Sequence, residues 1–259
     1  MKVVLASKNK HKLAEISRIT EKFDMELILQ SELGIDLDVE ENGTTFEENS
    51  FIKAEAVMKA TGLPALADDS GIAVDALNGE PGIYSARYGF DESLDDWGRL
   101  QLLLKNMEAV PDGQRQAKFV CVITMVTPEG QTIQARGEIH GELLRQPAGE
   151  NGFGYDPIFY YPPMGMTTAE MPEDTKNEVS HRGQALRVFY EKLKEAGYAD
   201  KYRKSRAAGS GKFHRHHTDG GQERRDRGRS GRSRKSADRQ RAGKGQGPGR
   251  RVYDPQRSL

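Results

Sequence analysis

The stretch Val3-Val4-Leu5-Ala6-Ser7-Lys8-Asn9-Lys10-His11-Lys12-Leu13-Ala14-Glu15-Ile16 decides the fold class of this 259-residue chain. Its first four residues form a short apolar run, which fits a buried strand. Apolar side chains then recur at helical spacing over Lys10–Phe23, which favours an amphipathic helix. A strand that leads directly into a helix is typical of α/β domains, and we expect that class here.

Short apolar runs and helical patterns alternate along the rest of the chain as far as about residue 195. We expect further strands at Leu27–Leu29, Leu66–Ala67, Ile72–Val74, Lys118–Val126 and Gln131–Glu138, and helices at Thr44–Thr61, Leu94–Met107 and His181–Lys194. The stretch Asp68-Asp69-Ser70-Gly71 has the composition of a tight turn between two of these strands. Pro128-Glu129-Gly130 is typical of the turn in a β-hairpin. These elements predict a mixed α/β domain.

The distribution of charge divides the chain into two parts. Residues 1–200 carry 20 Lys and Arg against 34 Asp and Glu, whereas residues 201–259 carry 19 against 5. The second part is rich in Arg, Gly and Ser, and it has too few aliphatic residues to offset the entropy lost on folding. We therefore predict a folded domain over residues 1–198 and a disordered basic tail over residues 199–259. An altered reading frame in the source sequence is the alternative explanation of so abrupt a change.

The single cysteine, Cys121, lies in an apolar strand pattern, where a small buried hydrophobic residue is expected. It cannot form a disulfide within the chain, which suits a reducing compartment. The apolar run Val3–Ala6 is too short for the core of a signal peptide, and no run approaches membrane-spanning length. These observations predict a cytoplasmic protein.

The first candidate functional segment is the loop between the first strand and the first helix. It consists of Ser7, Lys8, Asn9, Lys10, His11 and Lys12. Basic side chains at a helix N-terminus oppose the helix dipole unless an anion is bound there. Free backbone N–H groups at the same place also bind anions, and the side chains of Ser7 and Asn9 add hydrogen bonds. A phosphate site is therefore one interpretation, and a solvated lysine-rich turn is the other.

The second candidate is a set of carboxylates. Asp68 and Asp69 are adjacent, and successive residues generally point different ways, so one can bind a metal or a water molecule while the other braces the loop. A separate acidic pair, Glu40 and Glu41, can complete an oxygen-ligand site for Mg²⁺. The alternative is ordinary surface-turn chemistry.

Two further segments have residues suited to a nucleotide. Phe153 and Tyr155 alternate with glycines before Asp156, and aromatic faces between glycines can stack on a purine base; a hairpin turn with core aromatics is the alternative. Lys176 and Ser180-His181-Arg182 supply donors for a keto oxygen or a phosphate, although Ser180 also makes a plain helix N-cap.

One helical pair is ambiguous. Asn49 and Lys53 share a face of the second predicted helix, because they are four residues apart, and that face either points into the same cleft or is solvated.

Six motifs occur together in one order. They are Ser7-x-Asn9-x-x-Lys12-x-x-Glu15, Thr45-Phe46-x-Glu48-Asn49, Ala67-Asp68-Asp69-Ser70-Gly71, Pro81-Gly82-Ile83-Tyr84-Ser85-Ala86-Arg87-Tyr88, Gly152-Phe153-Gly154-Tyr155-Asp156-Pro157 and Ser180-His181-Arg182-Gly183-Gln184-Ala185-Leu186. In this combination the chain closely resembles the inosine/xanthosine triphosphate pyrophosphatase family, also called Ham1-like, over roughly residues 1–195.

The resemblance implies a homodimeric α/β protein with an elongated mixed sheet flanked by helices and a nucleotide cleft between two lobes. It also implies Mg²⁺-dependent hydrolysis of the non-standard purine triphosphates ITP, dITP and XTP to a monophosphate and pyrophosphate. The alternatives are a pyrophosphatase for another modified nucleotide, or accessory, non-specific RNA binding through the basic tail.

The resemblance further implies roles for individual residues. Ser7 to Lys12 would hold the triphosphate, Glu40 and Asp69 would bind Mg²⁺, and Asp69 would also act as the proton acceptor. Glu41 is an alternative metal ligand, because the two glutamates are adjacent. The residues implied to contact the nucleotide are Ser70, Phe153, Gly154, Tyr155, Asp156, Lys176, His181 and Arg182. Arg87 lies in a matched motif without an assigned role.

Overall fold

The protein is described here from a computed structural model that covers residues 2–21 and 25–198. Within these residues the chain forms seven strands and five α-helices. The strands are β1 (Lys2–Leu5), β2 (Glu26–Leu29), β3 (Ala65–Val74), β4 (Gln116–Val126), β5 (Thr132–Leu143), β6 (Phe159–Tyr161) and β7 (Met166–Thr167). The helices are α1 (Lys10–Thr20), α2 (Phe46–Thr61), α3 (Asp96–Asn106), α4 (Glu173–Val179) and α5 (His181–Glu195).

The strands form one mixed sheet in the order β2-β1-β3-β4-β5-β6-β7. β1 is parallel to both of its neighbours, and every pair from β3 to β7 is antiparallel. The predicted hairpin is β4–β5, with Val126 opposite Thr132 beside the turn. The prediction of an α/β fold with a mixed sheet and flanking helices is therefore confirmed.

Side chains alternate between the two faces of the sheet, and helices cover both faces. Leu66 of β3 packs with Phe189 of α5 in one core cluster. Its neighbours Ala65 and Ala67 pack with Val57 of α2 in another. Since successive strand residues point to opposite faces, α5 and α2 lie on opposite sides of β3.

The predicted turn at Asp68-Asp69-Ser70-Gly71 is wrong. These residues lie inside β3, which runs without a break from Ala65 to Val74 and pairs with β4 along its whole length. Asp and Gly are poor strand formers in isolation, but β4 offers an apolar partner of matching length, and this tertiary pairing overrides the local preference. The two short strands predicted on either side are therefore one strand.

The other edge of β3 is largely free of β1. β1 pairs with β3 only at Val4↔Ala65 and Leu5↔Leu66, because β1 ends at Leu5. From Ala67 onward, β3 therefore runs past the end of its parallel neighbour, and the chain after β1 turns away into α1 at this point. A gap at the carboxyl end of a parallel strand is where α/β proteins commonly place ligands.

Helix boundaries follow local capping signals. Asn9 caps α1, and Thr45 caps α2 by accepting a hydrogen bond from the backbone N–H of Glu48. The Glu48 carboxylate accepts a hydrogen bond from the backbone N–H of Thr44 (2.6 Å). In a standard capping box it would accept from the N-cap residue itself, which here is Thr45.

α4 and β7 were not predicted, since each is too short to show a periodic pattern.

No helix in residues 2–21 or 25–198 is long and apolar enough to cross a bilayer. The predicted disordered tail at residues 199–259 lies outside the described residues, as does Phe23, the predicted end of the first helix.

Candidate active site

The candidate site begins in the loop between β1 and α1. The Asn9 side-chain oxygen accepts hydrogen bonds from the backbone N–H groups of His11 (3.0 Å) and Lys12 (3.1 Å). Ser7 Oγ in turn accepts one from the backbone N–H of Asn9 (3.2 Å). Two amides that the sequence left free for an anion are thus already paired, so anion binding at this helix end depends more on the side chains.

Two clefts meet at this loop and share Asn9, Lys12 and Ala86. We call the first the aromatic cleft; it has a volume of about 600 Å³ and is lined by Phe119, Phe153, Tyr155, Lys176, His181 and Arg182, among others. We call the second the carboxylate cleft; it has a volume of about 720 Å³ and is lined by Ser7, Lys8, Glu41, Lys53 and Asp68, among others.

A chain of ion-paired side chains of alternating charge, all buried except the half-buried Lys12, runs under the aromatic cleft. Their order is Lys12, Asp68, Arg182, Glu15, Lys176 and Asp156, and we call them the buried charge chain. Asp68 is central: Lys12 Nζ lies 2.8 Å from its Oδ1, and Arg182 Nε lies 2.8 Å from its Oδ2. Ser70 Oγ also donates to Asp68 Oδ1 (2.7 Å). Each carboxylate in the chain therefore has cationic or hydroxyl donors.

The charges at Asp68 are fixed by their surroundings. Burial alone would raise the pKa of Asp68, but Arg182 and Lys12 outweigh it and hold the pKa well below its ordinary value. Cys121 Sγ donates a hydrogen bond to Asp68 Oδ2 (3.1 Å), and burial raises the pKa of this thiol. Cys121 is thus buried as predicted, and it also contacts the charge chain.

Lys176 joins the other end of the charge chain to the aromatic loop. Its Nζ lies 2.8 Å from Glu15 Oε1 and 2.7 Å from Asp156 Oδ2. Burial lowers the pKa of Lys176, but these two carboxylates more than reverse that effect. Asp156 also accepts from the backbone N–H of Phe153 (2.9 Å) and from Thr168 Oγ1 (2.8 Å). Asp156 therefore fixes the loop, with its carboxylate already hydrogen-bonded.

The ring of Phe153 projects from this loop, and the side chain of His11 packs against it. The imidazole of His11 stacks on it, with ring centroids 5.2 Å apart and planes 17° apart. Gly152 has φ of 76°, and a Cβ at this position would lie 2.2 Å from Asp156 Oδ2, so only glycine fits. His11, which the resemblance assigned to the triphosphate, thus contacts the Phe153 ring and lines a third cleft with Glu15 and Gly152.

His181 forms another wall of the aromatic cleft. Its ring stacks on Phe119 at 4.8 Å, and its Nδ1 is buried without a hydrogen-bond partner among the described residues. Burial, and then the charge of Arg182, hold the pKa of His181 well below its ordinary value, so the imidazole is neutral near pH 7. A neutral imidazole with an unpaired nitrogen can donate to or accept from a bound base.

A second ionic network lies beside the carboxylate cleft. Lys53 Nζ is 2.8 Å from Asp69 Oδ1, 2.8 Å from Glu41 Oε1 and 2.9 Å from the backbone oxygen of Asp68. Arg87 Nη1 lies 3.1 Å from Glu41 Oε2. Burial raises the pKa of Asp69, and Lys53 only partly counters this effect. Asp69 Oδ2 is buried and has no hydrogen-bond partner among the described residues.

These groups fit a magnesium site of the kind that shares its metal with substrate. No cluster of three His, Cys, Asp or Glu suited to a metal occurs in residues 2–21 and 25–198. Mg²⁺ commonly binds one or two carboxylates and takes its other ligands from water and substrate phosphates. The unpaired Oδ2 of Asp69 is a free oxygen for this purpose. Glu41 shares Lys53 with Asp69, whereas the side chain of Glu40 is exposed.

The structure brings most of the sequence-predicted residues together. Lys12, Ser70, Lys176 and Arg182 form one connected network with Asp68. Lys8 is at the outer rim, where it pairs with Asp36 (2.8 Å), and Lys10 is exposed. Gly154 and Tyr155 line the aromatic cleft, and the Tyr155 hydroxyl donates to the backbone oxygen of Ser85 (2.8 Å).

Sequence reasoning gave no individual role to Glu15 and Arg87, which hold the two networks together. Glu15 is three residues after Lys12, and this helical spacing could have placed both on one face of α1. Of the ambiguous pair on α2, Lys53 lies in the carboxylate cleft, whereas the Asn49 side chain accepts from the backbone N–H of Gly43 (2.9 Å).

Fold and site together define an α/β protein whose candidate ligand site lies past the end of a parallel strand, between a largely buried ionic network and a partly buried one. A model of the Ham1 family matches residues 3–192, and the chain belongs to this family. The resemblance inferred from the six motifs is therefore confirmed.

Individual relatives agree with this assignment. The chain is 46% identical over 195 residues to the dITP/XTP pyrophosphatase of Shigella flexneri, an alignment that covers 74% of this chain and 98% of the relative. It resembles the structure of the Staphylococcus aureus Ham1 protein at 43% identity and a TM-score of 0.68, over 76% of this chain and 100% of that one. A HAM1 protein from Coxiella burnetii gives 44% identity and a TM-score of 0.69, over 75% and 99%.

Proposed function

We propose that this protein is a nucleoside-triphosphate pyrophosphatase that hydrolyses dITP, XTP and ITP to the monophosphate and pyrophosphate, with Mg²⁺ as cofactor. The hydrolase class rests on relatives such as the dITP/XTP pyrophosphatase of Shigella flexneri, which aligns over 98% of its length. The observation that carries the proposal is the meeting of the two clefts at Lys12. One cleft has aromatic walls suited to a base, and the other has the charged groups that a triphosphate and its metal require.

In this proposal the triphosphate lies in the carboxylate cleft. Lys12 and Lys8 line that cleft, and their ammonium groups would neutralise phosphate oxygens. Lys12 already contacts Asp68 (2.8 Å), so its charge is held in place before the substrate arrives. Such prior positioning reduces the reorganisation required in the transition state.

Asp69 would position the attacking water and accept its proton. Its Oδ2 has no hydrogen-bond partner among the described residues, and burial makes the carboxylate a stronger base than an exposed aspartate. Asp69 and Glu41, or Glu40 after a rotation toward the cleft, would hold Mg²⁺. When bound, Mg²⁺ neutralises charge on the phosphates and lowers the pKa of water.

Selection of the base would depend on donors in the aromatic cleft. Lys176 has three N–H groups, two of which point at Glu15 and Asp156, so one remains for a ligand. Hypoxanthine and xanthine present a keto oxygen at position 6, which accepts from such donors. Adenine presents an amino group at position 6. This group and the N–H groups of the protein are all donors, so they cannot pair with one another.

The proposal also includes an oligomeric state and a cellular location. We propose that the protein is a homodimer and that it acts in the cytoplasm, where it would remove non-standard nucleotides from the precursor pool. The single buried Cys121 agrees with a reducing compartment.

The test is to incubate the purified chain with ITP and Mg²⁺ and to measure pyrophosphate and orthophosphate separately. We expect IMP and pyrophosphate in equal amounts, and loss of turnover with EDTA. XTP and dITP should be hydrolysed comparably, whereas ATP and GTP should be poor substrates. Orthophosphate as the first product would contradict the reaction type, and faster hydrolysis of a modified pyrimidine triphosphate would contradict the substrate class.

A further inference from the structure

The surroundings of Lys53 are those of a cation site. Its ammonium group is enclosed by three oxygen atoms at 2.8–2.9 Å: Asp69 Oδ1, Glu41 Oε1 and the backbone oxygen of Asp68. Only 13% of the Lys53 side chain is exposed. Two carboxylates and a carbonyl are also the ligand types that hard divalent cations select.

A lysine in such a position competes with any metal ion that uses the same carboxylates. Mg²⁺ requires ligand oxygens at about 2.0–2.1 Å, much closer than these oxygens are to Lys53 Nζ. Two cations so close to each other, and largely buried, would repel strongly. Mg²⁺ can therefore bind these oxygens only if the Lys53 ammonium group moves away from them.

We propose that Lys53 is an internal counter-ion that occupies the cation position in the metal-free protein and is displaced into the carboxylate cleft when Mg²⁺ binds. The inference rests on the Mg²⁺ requirement of the proposed function. Asp69 Oδ2, buried and without a partner among the described residues, supports it, because this oxygen offers the metal a first contact while Lys53 still holds Oδ1.

The carboxylate cleft can accept the displaced Lys53 side chain. Lys53 already lines the carboxylate cleft together with Lys8 and Lys12. Its ammonium group would move from the carboxylates toward the space in which the triphosphate is proposed to lie, so metal binding would add a third cation to that cleft. Lys53 is then a positioning residue that links metal binding to phosphate binding.

Lys53 also compensates the buried Asp69 and the half-buried Glu41 when no metal is bound. If Lys53 were absent, Asp69 would lose the cation that contacts it directly, and only the more distant charge of Lys12 would act on it among the described residues, whereas Glu41 would keep its ion pair with Arg87. Removing one partner of a buried ion pair strongly destabilises a protein. Lys53 therefore stabilises the metal-free fold at the expense of metal affinity.

The first experiment uses the wild-type chain and follows lysine accessibility. Limited acetylation with acetic anhydride, read by peptide mass spectrometry, is carried out with Mg²⁺ alone and with EDTA, without nucleotide. We expect labelling of Lys53 to rise at least about threefold with Mg²⁺. Lys59, exposed on the same helix and paired with Glu55, is the internal control and should not change. Equal or reduced labelling of Lys53 with Mg²⁺ would overturn the proposal.

The second experiment measures Mg²⁺ affinity by calorimetry in Lys53→Met and in the matched control Lys59→Met. Loss of the competing cation should tighten Mg²⁺ binding about tenfold or more in Lys53→Met, since the metal alone then compensates the carboxylates. Lys59→Met should bind as the wild type does. A Lys53 that merely helped to build the site would give weaker binding in Lys53→Met, and that result would refute displacement.

Stability without metal gives a further readout. Lys53→Met should unfold at a lower temperature than wild type in EDTA and should gain more from added Mg²⁺. If Lys53→Met does not fold in EDTA, Lys53→Gln, which keeps a hydrogen-bond donor without the charge, replaces it in the calorimetry. None of these readouts requires turnover, so a chain that failed to hydrolyse ITP would still decide the role of Lys53.

Discussion

Asp68 and Asp69 are adjacent but have opposite electrostatic surroundings. Arg182 and Lys12 overcome the effect of burial on Asp68 and keep its pKa well below the ordinary value, whereas burial prevails at Asp69 and raises its pKa. Asp68 has every carboxylate oxygen paired, while Asp69 Oδ2 has no partner among the described residues. We therefore expect Asp68 to hold the site together and Asp69 to take part in proton transfer.

Replacing Asp69 by Asn tests this division of roles. The shape of the side chain is retained, while the charge that pairs with Lys53, and that is proposed to serve water and metal, is lost. We expect kcat for ITP to fall about 10²-fold or more. Asp75→Asn, just after β3 and exposed, is the matched control and should keep wild-type turnover. Near-normal turnover in a folded Asp69→Asn protein would remove Asp69 from the mechanism.

The stacking of His11 on Phe153 favours a role for His11 in supporting the proposed base site over the predicted phosphate contact. His11→Phe preserves an aromatic partner, whereas His11→Ala removes it. An aromatic pair contributes about 0.5–1.5 kcal/mol, so KM for ITP should rise roughly two- to tenfold in His11→Ala and little in His11→Phe. Equal losses in both variants would instead favour the phosphate role.

At the scale of elements, α5 lies unusually close to β5. A Cβ at Gly137 of β5 would lie 2.2 Å from the backbone oxygen of His181 and 2.4 Å from the backbone nitrogen of Ala185. These atoms belong to the helix backbone and cannot rotate away. A glycine within β5 thus lets the first turn of α5 bring His181 and Arg182 to the aromatic cleft.

Gly137→Ala should therefore displace the start of α5. We expect a loss of about 1–3 kcal/mol in unfolding free energy, typical of overpacking, together with a higher KM for ITP. Gly130→Ala, in the turn of the same hairpin, meets no atom within 4 Å and has φ of 84°, so it reports the cost of backbone strain alone. Urea unfolding measures both variants. A Gly137→Ala protein as stable and active as Gly130→Ala would show that the close contact is unimportant.

The sequence predicted elements well where the signal is local. The start of α1 after Asn9 and the cap of α2 at Thr45 depend on residues three or four positions away, and both were placed within one or two residues. The continuity of β3 was missed because its partner β4 is about 50 residues distant. The charge chain was missed for the same reason: Glu15 and Lys176 are 161 positions apart, and no spacing rule connects them.

At the scale of the whole molecule, the family match ends at residue 192, but the packed core continues slightly further. Leu193 and Tyr198 belong to the core cluster that includes β1, α1 and α5. The Tyr198 hydroxyl donates a hydrogen bond to the side chain of Gln131, next to the β4–β5 turn. The packed core of the described residues thus extends to Tyr198.

Deleting residues 201–259 should leave thermal stability and ITP hydrolysis essentially unchanged, because the matched motifs and the core clusters of the described residues precede the cut. A chain ending at residue 190 is the matched comparison: it lacks Leu193 and Tyr198 and should unfold at a clearly lower temperature. Differential scanning calorimetry and pyrophosphate release measure both chains. Loss of hydrolysis in the longer chain would contradict the prediction that residues 199–259 are a dispensable tail.

The unbroken course of β3 has one more consequence. Asp68, which anchors the buried charge chain, and Asp69, which is proposed to face the cation, are joined by a single peptide bond in a strand paired along its whole length with β4. Their separation is therefore set by covalent geometry, and thermal motion of loops cannot change it. In the proposed function, this fixed separation would help to set which phosphoanhydride bond of a bound nucleotide lies at the cation site.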